Sequence, residues 1–372
     1  MQDVEAIEDR ALTEETLAGK AWIGYNNVYY HNKFLNREVP LWRNCLRTSR
    51  SLVLVCRLWR GIFTPFLYSS LHITRRGISG AVSSHQLTEI LRSRPTYRHY
   101  IRRLEIWSTE SAMECASLIS ICDRLQTLGL PKDFDWTTVT QFASDLPFIR
   151  HLIIRHTQPG VPGPWPALGR PLEPFPLIFT LSKLQTLQVS VYSDRLLSSP
   201  AFGLPSLRIL KLDTLDAVSY SILLRVASTL QEIETGVFIS RKDSWLAELV
   251  PTPFPRLQKI TITVQSGYVS WLPLVLPPPL PALRTLDIAG PPHYFIRSVK
   301  DALSIKSKYG AHWAPKLDVI RALLYPCDHV GRCTEFCIDI LKSIVNSTEW
   351  LACQNTAQGL DVRLELDRLD AR

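Results

Sequence analysis

A hexapeptide of the form L-x-x-L-x-L, with aliphatic substitutions, recurs along most of this chain and constrains its fold more than any other feature. It stands at Ile101–Ile106, Leu125–Leu130, Ile149–Ile154, Leu184–Val189, Leu207–Leu212, Leu257–Ile262 and Leu283–Ile288, with a shorter copy at Leu230–Ile233. Measured between the middle aliphatic positions 104, 128, 152, 187, 210, 233, 260 and 286, the steps are 24, 24, 35, 23, 23, 27 and 26 residues. Six of the seven fall within the roughly 20–29-residue period at which short strand-bearing repeats stack. Each such unit is too small to bury its apolar edge alone and must bury it against its neighbours.

The expected fold class is therefore α/β, a leucine-rich-repeat solenoid: a horseshoe of parallel inner strands and outer helices, preceded by a small helical segment. Helical spacing ahead of the strands supports it, at Gln86–Leu91, Ala112–Ile121 and Thr138–Leu146. Proline introduces several strands, at Pro147, Pro205, Pro255 and Pro281, which fits a fixed turn from helix into strand. The one long step holds Pro159, Pro162, Pro164, Pro166, Pro171, Pro174 and Pro176, a proline-rich insertion at about 157–177. After Ile288 the pattern loosens. Leu317–Leu324 is expected to be a further repeat, Cys333–Ser347 a helix and Val362–Leu366 a last strand, together a C-terminal cap of repeats that spans 74–372.

A content of 46% hydrophobic residues argues for a folded chain, and 26 prolines against 16 glycines favour stiff turns. Eight cysteines spread over 372 residues, behind an acidic and polar start with no apolar signal core, point to reduced thiols in the cytoplasm or nucleus. Ile260–Leu283 is uncharged and long enough to span a membrane. Pro273, Pro277, Pro278, Pro279 and Pro281 forbid a spanning helix there, so a strand and a proline-rich loop are expected and no membrane partner. The net charge of +8 permits an acidic partner. Its densest run, Arg92, Arg94, Arg98, His99, Arg102 and Arg103, reads as the solvated end of a helix. A nucleic-acid partner is not expected, because no module pairs these cations with stacking aromatics.

Residues 1–46, with Glu5, Glu8, Asp9, Glu14 and Glu15 followed by a Trp22–Tyr30 aromatic patch, are irregular and unassigned. Residues 49–63 carry Leu52, Val55, Cys56, Trp59, Ile62 and Phe63 at i, i+3, i+4, i+7, i+10 and i+11, the stripe of one continuous helix. That helix is expected to stop at Thr64-Pro65, with a second short turn through Phe66, Leu67 and Tyr68. Ser70–Ile73 alternates like a first strand.

Ser51–Arg60 followed by Thr64–Tyr68 resembles the second half of an F-box domain, closest to the form common in fungi, where V-C-x-x-W precedes a T-P-x-L-Y element and a strand. Downstream leucine-rich repeats are the usual companion of that domain. The resemblance implies that segment 47–73 is a partial F-box-like helical segment. Leu52, Val55, Cys56, Trp59 and Pro65 would then form its adaptor-binding surface. The implied partner is an adaptor of the Skp type, which would link the chain to a cullin–RING ubiquitin ligase with the repeats recruiting a target protein. The first half is not matched: Phe34–Arg43 lacks the leucine–proline opening of an F-box, and Glu38, Val39 and Leu41 are at most a remnant. A repeat scaffold that no longer binds the adaptor is therefore the alternative, and a basic binder of nucleic acid or anionic surfaces a third.

No motif for nucleophilic, phosphate or metalloprotease chemistry occurs, so neither an enzyme nor a cofactor is expected. Cys327, His329, Cys333 and Cys337 are four soft ligands within eleven residues, but their C-x-H-x3-C-x3-C spacing departs from the paired ligands of zinc sites and reads as free thiols. Asp133, Asp135, His151 and His156 read as turn or surface residues. A partner protein would meet the variable positions of each copy, among them Arg102, Arg103, Gln185, Arg208, Gln258, Lys259 and Arg284. Strand alternation makes Glu105, Gln188, Lys211, Thr261 and Asp287 the residues expected to face it.

Overall fold

The computed structural model describes residues 51–73 except 53, 84–106, 112–131, 148–155, 179–189, 202–212, 223–237 except 224, 254–264, 280–290, 292–324 and 342–368. Residues 1–46, the insertion at 157–177, Thr138–Leu146 and the Cys327–Cys337 cluster, on all of which expectations were placed, lie outside them. The chain is α/β, and every paired strand among the described residues is parallel.

It forms two compact units, divided between Arg208 and Ile209. In the first, strands β1 (Ser70–Ile73), β2 (Arg103–Ile106), β3 (Thr127–Pro131), β4 (His151–Arg155) and β6 (Thr186–Val189) pair in that order. A separate two-stranded pair joins β5 (Phe179–Thr180) to β7 (Phe202–Gly203). This unit also holds helices α1 (Arg57–Ser69), α2 (Ser84–Ser93), α3 (Pro95–Arg98) and α4 (Ala112–Ile121), with α2 packed on α4. In the second unit, β8 (Ile209–Leu212), β9 (Glu232–Val237), β10 (Lys259–Val264), β11 (Thr285–Gly290), β12 (Val319–Leu324) and β13 (Arg363–Arg368) pair in chain order. Helix α5 (Pro292–Trp313) packs against β11 and β12, and α6 (Thr348–Gly359) against α5 and β13.

The repeated hexapeptide explains the main strands of both units. In each copy the first aliphatic residue lies just ahead of the strand, as Ile101, Leu125, Ile149, Leu184, Leu207, Leu257 and Leu283 do, and all are buried. The middle residues line up across the strands in register: Leu104 with Leu128, Leu128 with Leu152 and Leu152 with Leu187. Ile233 meets Ile260 and Ile260 meets Leu286 in the second unit. These rungs are sealed from water, and each buried Leu or Ile contributes about 1.5–3 kcal/mol.

The prolines ahead of the strands have a specific job. Pro205, Pro255, Pro281 and Pro315 each follow a buried residue whose carbonyl accepts the amide of the first aliphatic residue of the copy: Leu204 from Leu207, Phe254 from Leu257, Leu280 from Leu283 and Ala314 from Leu317. Each is a four-residue turn with proline second, where its fixed φ is the one the turn needs.

Two expectations need correction. The stripe at 49–63 is not one helix: Cys56 is extended (φ −159°, ψ 173°) and caps a new helix that begins at Arg57. That helix then runs through Pro65 to Ser69 instead of stopping before it. Pro65 removes only the bond that its own amide would have donated to the Gly61 carbonyl. The Thr64 hydroxyl donates to the Arg60 carbonyl at 2.6 Å, and the ring series Trp59–Phe63–Phe66 (5.6 and 6.0 Å) bridges the proline. The second correction concerns the region after Ile288: the strands expected near Leu317–Leu324 and Val362–Leu366 are present as β12 and β13, but among the described residues helices α5 and α6 stand where the loosened pattern revealed none.

Candidate functional site

Two surfaces are candidates, one on the first helix and one on the strands. Helix α1 is tied to the first unit by Tyr68, which stacks on Tyr97 of α3 with ring centroids 4.5 Å apart. Burial pushes the Tyr68 hydroxyl above its ordinary pKa, with the neighbouring Tyr97 adding to the effect. Arg94 lies over the other partner, 5.6 Å from the Tyr97 centroid. These contacts hold one side of α1. On its other side Leu58 is 70% exposed and Trp59 and Ile62 are exposed with it, while Leu54 and Val55, which precede the break at Cys56, are 69% and 65% exposed. Five large exposed apolar side chains thus fall within nine residues, on α1 and the segment just ahead of it, the kind of feature that marks an interaction site. Of the residues expected to bind an adaptor, Val55, Cys56 and Trp59 are exposed, while Leu52 and Pro65 are half-buried.

On the strands, the position between the last two aliphatic residues of each copy forms a row of its own. In the first unit it runs through His72, Glu105, Gly129, Ile153 and Gln188. In the second it runs through Lys211, Glu234, Thr261, Asp287, Arg321 and Glu365. All five residues expected to face a partner stand in these rows. They are not the open contact residues that alternation alone implies: Glu105, Gln188 and Asp287 are 1%, 4% and 3% exposed, and Lys211 and Thr261 are half-buried.

The same and neighbouring strands supply the cover. Arg103 folds its guanidinium onto Glu105 through Nε at 2.7 Å and through Nη2. Gly129 stands opposite, so close that a Cβ there would lie 3.0 Å from Cγ of Glu105. In the second unit, Arg321 clamps Asp287 with two bonds, Nε to Oδ1 at 2.8 Å and Nη2 to Oδ2 at 3.2 Å. Thr261 donates to the same Oδ2 at 3.4 Å, and Lys259 Nζ approaches it to 3.4 Å. Lys211 and Glu234 meet at 2.7 Å directly across β8 and β9. The face is therefore a self-paired charge ladder, with most charges engaged across strands before any partner arrives.

Glu234, Arg321 and Glu365 belong to this ladder and the sequence reading passed over them. Their signal was present, since each follows the middle aliphatic residue of a copy, at Ile233, Ile320 and Leu364. His99, one of the basic run, is bound to Asp123 at 2.9 Å.

Among the described residues, no group of three or more His, Cys, Asp or Glu side chains is placed to hold a metal ion. Burial pushes the Cys122 thiol up to about 12, helped by the adjacent Asp123 carboxylate, which leaves it protonated and poorly nucleophilic. No helix among the described residues is long and apolar enough to cross a membrane. No protein-family model matches the chain, and no curated protein is detectably similar to it in sequence.

Proposed function

We propose that this chain is the substrate-recognition subunit of a cullin–RING ubiquitin ligase of the SCF type. In this reading it is a non-catalytic leucine-rich-repeat protein without a cofactor. The segment around α1 is the F-box remnant that meets the Skp-type adaptor, and the strand face holds the target protein. The observation that carries the reading is the group of exposed apolar side chains Leu54, Val55, Leu58, Trp59 and Ile62, which lies on and around the V-C-x-x-W segment, in and just ahead of the helix that leads into β1. Water contact with so much apolar surface is unfavourable, and a partner helix would relieve it at about 25 cal/mol per Å². The parallel strands at a repeat period of 23–27 residues, interrupted by one long step, supply the recruiting surface. A specific interface needs about 800 Å² on each partner, within reach of a multi-stranded face.

The test is co-expression of the full chain with a Skp-type adaptor, beside a Val55→Ala, Trp59→Ala double variant. Both side chains are exposed, but Trp59 also stacks on Phe63, so circular dichroism checks the fold of the double variant and the Val55→Ala single variant decides if it is perturbed. Co-purification that the variant loses supports the reading. A folded, monodisperse chain that never co-purifies overturns it in favour of a repeat scaffold, which the unmatched Phe34–Arg43 window already favours as the second reading.

A further inference from the structure

A second row of side chains in the first unit differs in character from the ladder on the strand face. At the position just after the first aliphatic residue of each copy, the strand entrances carry Arg102, Gln126, Arg150, Gln185 and Arg208. Backbone bonds lock this order across the strands. The amide of Gln126 donates to the carbonyl of Arg102 at 2.8 Å, Arg150 to Gln126 at 2.8 Å, Gln185 to Arg150 at 2.8 Å and Arg208 to Gln185 at 2.9 Å. The result is an alternating Arg–Gln–Arg–Gln–Arg row along one edge of the sheet.

All three arginines are exposed, and both glutamines are half-buried. Among the described residues no carboxylate lies within ion-pair distance of Arg102, Arg150 or Arg208, whereas nearby Arg103 and His99 are already occupied by Glu105 and Asp123. The row is thus an unneutralised stretch of the basic surface among the described residues.

We infer that this edge binds an extended acidic segment of a partner protein. Adjacent strands are about 4.8 Å apart, so successive arginines of the row are rooted roughly 10 Å apart. A chain in the extended polyproline II form rises about 3.1 Å per residue with three residues per turn, so aspartate or glutamate at every third position stays on one face and meets one guanidinium after another. The intervening glutamines offer both an amide donor and a carbonyl acceptor, which suits the peptide backbone between the acidic side chains. A single-stranded nucleic acid fits less well, because such strands are held by stacking on open aromatic rings. Phe148, the exposed ring beside the row, is already covered by Lys183 with Nζ 5.2 Å from its centroid. This site is distinct from the strand face and from α1, and it holds whether or not the adaptor binds.

The experiment uses the full chain and fluorescence anisotropy with a labelled peptide about a dozen residues long, glutamate at every third position. Arg102→Gln, Arg150→Gln and Arg208→Gln are each expected to weaken binding about 2- to 5-fold, and the triple variant on the order of 30-fold. A peptide of equal charge with its glutamates contiguous binds more weakly, and Arg57→Gln, Arg60→Gln on exposed positions of α1 changes nothing. Circular dichroism checks the fold of the triple variant, and the single variants decide if it melts early. Undiminished binding by the variants overturns the proposal, as does equal affinity for the two peptides. So does a thymidine oligonucleotide that binds more tightly than the peptide and is lost with the same arginines. A chain that binds the peptide but not the adaptor sinks the ligase reading alone.

Discussion

Asp287 shows how much one position can carry. Its carboxylate is sealed between strands and collects a bidentate arginine, a lysine and a threonine hydroxyl. Taking a charge out of water is costly, and what makes it tolerable is that both oxygens are bonded and two cations lie against them. Removing that carboxylate leaves Arg321 and Lys259 facing each other. Breaking a fully buried pair costs about 3–5 kcal/mol, but Arg321 is one-third exposed and can turn to solvent, so Asp287→Ala is expected to destabilise by about 2 kcal/mol. Urea denaturation of the two proteins measures it, and a midpoint that does not move would mean the ladder contributes nothing to folding. Gly129 is the converse case, where the smallest residue is needed because Glu105 occupies the space a side chain would take.

Elements are held at their ends as much as along their faces. Helix α6 starts on Ser347, whose hydroxyl accepts the Trp350 amide, with Trp350 itself buried. It stops in a Schellman motif: the amide of Val362 donates to the Ala357 carbonyl at 3.0 Å and that of Asp361 to the Gln358 carbonyl at 3.2 Å. Ala357 and Val362 are both buried, supplying the apolar contact that accompanies this ending. The turn requires a left-handed residue, and Asp361 takes it at φ 55°. A Cβ in that region costs on the order of 1 kcal/mol, so Asp361→Gly is expected to raise the melting temperature by a few degrees. A fall in melting temperature would mean that the aspartate side chain holds the turn in a way the backbone geometry does not reveal. Helix α5 ends comparably, with the Lys306 ammonium donating to the Ala314 carbonyl at 2.5 Å in a buried setting that lowers its pKa.

For the whole molecule, nearest-neighbour pairing is the organising fact. In each unit a strand is hydrogen-bonded only to the strands beside it, and β1 and β13 have a partner on one side alone among the described residues. Stability built this way is a sum of local interfaces and fades at the ends. Native-state hydrogen exchange is expected to protect β3, β10 and β11 most strongly, with amides of β1 and β13 exchanging at least about ten-fold faster. Uniform protection across all strands would show instead that each unit opens only as a whole.

The strands and their register were legible in the amino-acid sequence, because a rung of Leu104, Leu128, Leu152 and Leu187 admits one way to bury its apolar edge and leaves a fixed period behind. The turn prolines were legible for the same reason: each acts within four residues. Helix α5 was hidden although its core residues Val299, Ala302 and Leu303 follow helical spacing, because the next position on that face is Lys306, which reads as exposed until its partner carbonyl is known. The path of α1 through Pro65 likewise depended on contacts no local rule supplies. The strand face shows the clearest division. Alternation identified which side Glu105 and Asp287 occupy, but their burial comes from Arg103, Gly129 and Arg321 on the same or adjacent strands. Which charges neutralise one another across strands, and which arginines are left open at the strand entrances, is set by distances of a few ångströms between residues 23 to 34 positions apart, as in Lys211–Glu234 and Arg321–Asp287. Only the tertiary structure decides those.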